Sequence, residues 1–148
     1  MATNENAIDE SQIRQLIDSW SQALRAKDIA GLMTSYTSDI MLFDLAPPLR
    51  YVGIDAYQQN LEEWFQSFRG PVGYEISDLS ITVGDDVAFS HSLNRITGVR
   101  TGGERTDVWV RATVGYRKLG GKWKITHEHF STPFEMTPPY KASLDLKP

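Results

Sequence analysis

The chain has 148 residues, 41% hydrophobic and 23% charged, with a formal net charge of −4 and a pI near 5.3. That is the size of one domain, able to bury roughly two-thirds of its unfolded surface. An acidic chain without a run of lysines or arginines excludes phosphate-neutralising nucleic-acid binding and attraction to anionic membranes, and the lack of cysteine excludes disulfides, thiolate nucleophiles and thiolate metal sites.

The opening MATNENAIDESQ is polar and acidic, without the basic-then-apolar layout of a signal peptide. No apolar run approaches the ~20 residues of a membrane span, so the expected location is cytoplasmic. Ile13, Leu16, Ile17, Trp20, Ala23 and Leu24 recur at three- and four-residue steps and predict a first helix. Asp9, three residues before Gln12, reads as a capping-box-like start. Asp28 caps a short second helix through Leu32, Met33 and Tyr36. The stretch SDIMLFDLAPPLRYVG predicts a short strand, a Pro-Pro break and an extended return. Asp55 opens a third helix whose buried side is Tyr57, Leu61, Trp64, Phe65 and Phe68, ending at RGPVG.

From there the period changes to two. YEISDLSITVG, DVAFSHSLNRITGV, RTDVWVRATVGYRK and KWKITHEHFSTPF predict four strands joined by the hairpin turns GDD, RTGGE and LGG. Helices followed by an antiparallel meander predict an α+β fold, with three amino-terminal helices packed on a curved antiparallel sheet around a pocket. Residues 1–148 read as a single domain, with a core over about 8–135 and a tail over 136–148 that trails along the surface or reaches a neighbouring subunit.

This order of elements, with LFDLAPPLRYVG between helices and strands, resembles the fold shared by ketosteroid isomerase, the SnoaL-like polyketide cyclases and nuclear transport factor two. The closing VWVRATVGYRKLGGKWKITHEHFSTPF resembles the uncharacterised ketosteroid-isomerase-like branch, and also the association domain of calcium/calmodulin-dependent kinase. The resemblance covers nearly the whole chain. It implies a cone-shaped fold, a base aspartate at Asp44 with Gly53 leading into the third helix, and dimerisation through the sheet. It places Trp20 and Thr113 where the isomerases have their oxyanion-hole tyrosine and acid. An indole has one N–H and a threonine cannot act as that acid, so steroid isomerisation itself is not implied.

Strand alternation groups Phe89, His91, Leu93 and Arg95 on one face, with Trp109, Arg111 and Thr113 as the matching set. Their mixture of aromatic, cationic and hydroxyl groups suits a ligand cavity. Val108, Val110, Ala112 and Val114 suit an outer, dimer-forming face. In the last strand Trp123, Ile125, His127 and His129 share one face and Thr126, Glu128 and Phe130 the other, and the resemblance aligns the second group with cavity positions. A β-bulge would reverse that assignment.

Asp44, among the apolar Met41, Leu42, Phe43 and Leu45, reads as a desolvated general base or as the cap of the turn before Pro47-Pro48. His91 reads as its partner or as a core histidine; Arg111 as an oxyanion clamp; Glu128 as the group positioning Arg111 or a water. Arg95, Arg111 and Glu128 read equally as a structural ion-pair network. The expected ligand-binding residues are Trp20, Tyr36, Trp64, Phe89, Arg95, Trp109, Thr113 and Phe130, which together favour a flat, small apolar or aromatic organic ligand. The expected activity is a cofactor-independent isomerase, cyclase or dehydratase-type lyase acting on a carbonyl or polyketide-like compound. No cofactor is called for. Two other readings stand beside it: a non-catalytic ligand-binding or association domain, and a metal-dependent enzyme using His127 and His129, which would need a third protein ligand.

Overall fold

The computed structural model describes residues 3–148. Helix α1 (Thr3–Arg25) buries Ile13, Ile17, Trp20 and Leu24 along the stripe that the periodicity predicts. It begins earlier than Asp9, which sits inside the helix. There the Asp9 carboxylate accepts hydrogen bonds from Trp123 Nε1 and Lys118 Nζ, both at 3.0 Å, tying α1 to the far end of the sheet. Those bonds and the Lys118 charge outweigh the cost of burial and hold the Asp9 carboxyl below its ordinary range.

Asp28 caps α2 (Ile29–Met33) by accepting from the Gly31 N–H at 3.0 Å. That helix stops at Met33, and Tyr36 opens β1 (Tyr36–Phe43) instead of closing the helix. After β2 (Tyr51–Val52), Gly53 at φ 90° turns the chain into α3 (Ile54–Gln66), which buries Tyr57, Leu61 and Phe65. The segment RGPVG does not end the helical region as a loop. Phe68 and RGPVG belong to β3 (Phe68–Val83), followed by β4 (Val87–Arg100), β5 (Arg105–Leu119) and β6 (Lys122–Ser131).

One curved, unclosed six-stranded sheet runs in the order β2-β1-β6-β5-β4-β3. Every neighbouring pair is antiparallel except β1 and β6, which run parallel. Most of the chain lies between those two strands, the long crossover that parallel pairing requires. The helices cover the concave face. The inner residues there are Ala88, Ser90 and Asn94 of β4 and Val110, Ala112 and Tyr116 of β5, all buried.

This reverses the face expected from the sequence. Phe89, His91 and Arg95, with Trp109, Arg111 and Thr113, lie on the convex side; Phe89 is 47% exposed and His91, Arg111 and Thr113 are exposed. The physical reason is the cover. A face lying under two amphipathic helices must be apolar to exclude water, so the Val/Ala/Tyr set goes in and the mixed set goes out. Arg95 forms a bidentate pair with Asp107 at 2.9 and 2.8 Å, with Glu75 at 3.9 Å, and does not reach Glu128. Arg111 Nε donates to Ser131 Oγ at 3.0 Å on that outer face.

Bulges decide the rest. Gly115 pairs with His127 but Tyr116 with Ile125, so Thr126 is an extra residue in β6. The phase switches there: Trp123 and Ile125 point inward before it, Glu128 and Phe130 after it, and His127 and His129 outward. A second bulge in β3 is carried by Asp78 at φ 55°, a left-handed conformation that aspartate tolerates. The tail turns back in a short bridge between Phe134 and Ala142, with the Phe134 and Tyr140 rings in an edge contact.

Gly98, on the inner face of β4, leaves room for the Phe68 ring. A methyl group at position 98 would meet Phe68 Cδ1 at 2.7 Å, and that ring is already held by Trp64. Gly98→Ala is therefore expected to lower stability by about 1–3 kcal/mol, read as a lower midpoint in urea with an unchanged slope.

Candidate functional site

A cavity of about 360 Å³ lies between α1, α3 and the sheet. Its apolar walls include Trp20, Leu61, Trp64, Ile96, Val110 and Phe130. Of the expected ligand-binding residues, Trp20, Trp64 and Phe130 are among the residues that line it. Phe89, Arg95, Trp109 and Thr113 do not line it, because they sit on the outer face. A smaller chamber of about 30 Å³ lies on the other side of Trp20 and Phe130, lined in part by Ser90, Asn94, Tyr116 and Glu128.

The polar centre is Glu128. Leu42 of β1 and Val114 of β5 flank it, and its carboxylate is buried to 1% exposure. Tyr36 OH donates to Oε1 and Tyr57 OH to Oε2, each at 2.9 Å. Trp20 Nε1 donates to the Tyr36 oxygen, and the Tyr36 and Tyr57 oxygens are 3.0 Å apart. A phenol has one proton, so Tyr36 gives it to Glu128 or to Tyr57 but not to both. Burial disfavours the charged carboxylate and pushes Glu128 up to about 7, against the opposing pull of the two tyrosine hydrogen bonds; the Asp44 charge adds to the rise. Burial, together with the Glu128 charge, raises both tyrosines well above the usual phenol value, so they stay protonated.

This trio is satisfied in both protonation states of Glu128. Ionised, the carboxylate accepts from both tyrosines. Protonated, it can donate to the Tyr57 oxygen while still accepting from Tyr36, which frees the Tyr57 O–H to point elsewhere. Tyr57 is also among the residues that line the main cavity.

Asp44 stands at the same cavity, where β1 ends. Its Oδ1 accepts from the Leu45 N–H at 2.7 Å and its Oδ2 from Asn60 Nδ2 at 3.0 Å, and Asn60 is fixed in turn by Tyr51 OH at 3.1 Å. Asp44 thus lines the main cavity and Glu128 the smaller chamber, with Tyr57 between Glu128 and the main cavity, while His91 and Arg111 line neither. An Asp44–His91 relay is ruled out by the sheet phase, and Glu128 positions tyrosines rather than Arg111.

His127 Nδ1 donates to the Met41 carbonyl at 2.7 Å. The Phe43 ring makes edge contacts with both His127 and His129, whose centroids are 6.4 Å apart. Among the described residues no group of three His, Cys, Asp or Glu side chains is placed to hold a metal. Tyr57, Asn60 and Arg100 are site residues that the sequence reading did not assign to the site. For Tyr57 a signal was present: a phenol on the buried stripe of a helix must bring its hydroxyl to a partner.

An open groove of about 940 Å³ between the loop after β1 and the carboxy-terminal turn shares Asp44, Leu45 and Phe130 with the cavity. No helix is long and apolar enough to cross a membrane among the described residues.

The model of the SnoaL-like domain family matches residues 13–135. Among solved structures, an NTF2-like protein of unknown function from Pseudomonas putida KT2440 is 40% identical, with a TM-score of 0.87 over 96% of this chain and 98% of that one. A protein of Novosphingobium aromaticivorans provisionally described as a scytalone dehydratase superposes with a TM-score of 0.76 at 21% identity, covering 99% of each chain. A provisionally described calcium/calmodulin-dependent protein kinase II association domain from Xanthomonas campestris gives 0.70 at 22% identity, over 80% of this chain and 84% of that one. The last two likenesses are likenesses of fold. No curated protein matches the chain.

Proposed function

The chain belongs to the SnoaL-like domain family, and from that premise and the geometry of the hollow we propose that it is a cofactor-independent enzyme of the isomerase, cyclase or dehydratase type. Its ligand is a small, flat, largely apolar carbonyl compound such as a polyketide-derived ring. The observation that carries the reading is Tyr57, which touches the cavity in front and donates to the buried Glu128 carboxyl behind.

Asp44 is the general base in this proposal. Its carboxylate takes a proton from the carbon next to the ligand carbonyl. Electrons move onto the carbonyl oxygen, which the Tyr57 O–H stabilises as negative charge develops. Protonated Glu128 supports that donation from behind. Asp44 then returns the proton, to a different carbon in an isomerisation or to a departing hydroxyl in a dehydration. The apolar walls keep bulk water away from the enolate.

A non-catalytic ligand-binding or association role has one observation in its favour: both oxygens of Asp44 already have partners. The two readings separate experimentally. Native mass spectrometry of protein taken directly from cells is expected to show a bound organic molecule. With that compound as substrate, Asp44→Asn is expected to lower turnover by about 100-fold or more while leaving its binding nearly intact. Full turnover in Asp44→Asn, or binding without any conversion by the native protein, would overturn the proposal in favour of the binding role.

A further inference from the structure

We infer that Arg100 is the anchor for an anionic group on the ligand, so that the cavity selects carbonyl compounds bearing a carboxylate at the end remote from the reacting oxygen. The inference rests on the reading of the hollow as a ligand site.

Arg100 ends β4 on the inner face and lines the main cavity. Its guanidinium lies 4.0 Å over the Phe68 ring. Nε donates to Thr106 Oγ1 at 2.9 Å and Nη1 to Ser67 Oγ at 2.6 Å. These contacts fix the plane of the group yet use two of its five N–H bonds. Hydroxyl partners leave its charge uncompensated, and no carboxylate pairs with it among the described residues. Arg95, by contrast, is neutralised by Asp107. Arg100 is therefore a cation held rigid at a cavity wall with donors to spare, the arrangement that a planar carboxylate matches in bidentate fashion.

The placement also sets an orientation. Tyr57 and Trp64 both line the cavity and lie seven residues apart on α3, roughly 10 Å along the helix axis. Trp64 packs against Phe68, and Phe68 against Arg100. Asp44, held by Asn60 one turn along α3 from Tyr57, is near that end and repels an anion there. A ligand with a ketone at one end and a carboxylate at the other thus enters one way round, with the ketone at Tyr57 and the carboxylate at Arg100. A purely structural arginine would give no such preference.

The test uses 6-acetyl-2-naphthoate and its methyl ester as probes, with binding read from the fluorescence of the tryptophans and confirmed by calorimetry. The native protein is expected to bind the acid about tenfold or more tighter than the ester. Arg100→Gln is expected to abolish that preference, bringing the affinity for the acid down to that for the ester. Arg100→Lys, which keeps the charge but not the fork, is expected to retain part of it, and it serves where the glutamine variant folds poorly. Equal binding of acid and ester by the native protein, or a preference that survives Arg100→Gln, overturns the inference while leaving the pocket and its chemistry standing. Binding of neither probe overturns it together with the proposed ligand class.

Discussion

Replacing Glu128 with glutamine is expected to flatten the pH dependence of stability between about pH 4.5, the ordinary value of the group, and about 7, its value in the fold. Within that window the folded chain keeps a proton that the unfolded chain gives up. Stability due to Glu128 is thus fully present below the unfolded value, falls as pH rises through the window, and is flat above it. The slope for one proton is about 1.4 kcal/mol per pH unit, which makes the loss across the window about 3 kcal/mol. Glutamine has no proton to lose but keeps the shape, with one oxygen to accept from Tyr36 and an N–H₂ to meet the Tyr57 oxygen. Urea unfolding at a series of pH values should show the difference between variant and native protein rising by that amount and then levelling. Other titrating groups cancel in the difference. Parallel curves for the two proteins would mean that Glu128 titrates at an ordinary value and that the trio holds no proton at neutral pH.

What the sequence reveals about this protein divides along a physical line. Helices and hairpins are local: the stripe from Ile13 to Leu24, the Asp28 cap and the glycine turns each need only near neighbours in the chain, and each was legible. Sheet phase is not local. In the sequence a mixed face looks like a ligand site, which puts His91 and Arg111 in the pocket, whereas the covering helices dictate that the apolar face turns inward. The single extra residue at Thr126 could not be read from alternation, and it makes Trp123 and Glu128 share a face despite their odd separation. Asp44 stands out in the sequence as a lone carboxylate in an apolar run, whereas Glu128 is singled out only by strand alternation and the family resemblance. Tyr57 and Arg100 were not recognised as site residues, since what distinguishes them is a partner, or the lack of one, in distant strands.

The catalytic role of the trio makes a sharper demand on kinetics. If protonated Glu128 is what releases the Tyr57 O–H toward the ligand, kcat/KM of the native enzyme on its ligand should fall above pH about 7, by about tenfold per pH unit. Tyr57→Phe removes the donor aimed at the developing oxyanion and is expected to lower kcat about 100- to 1,000-fold below pH about 7, with the gap to the native enzyme closing above it. Glu128→Gln should do neither. Its amide donates permanently to the Tyr57 oxygen, as the protonated acid does, so the variant should stay active and lose the alkaline fall. That outcome separates a proton-holding support from a base: a base replaced by an amide is dead, whereas a hydrogen-bond donor replaced by an amide is locked on. An inactive Glu128→Gln with native-like stability would make Glu128 the proton acceptor instead, and Asp44 would lose its assigned part in the reaction.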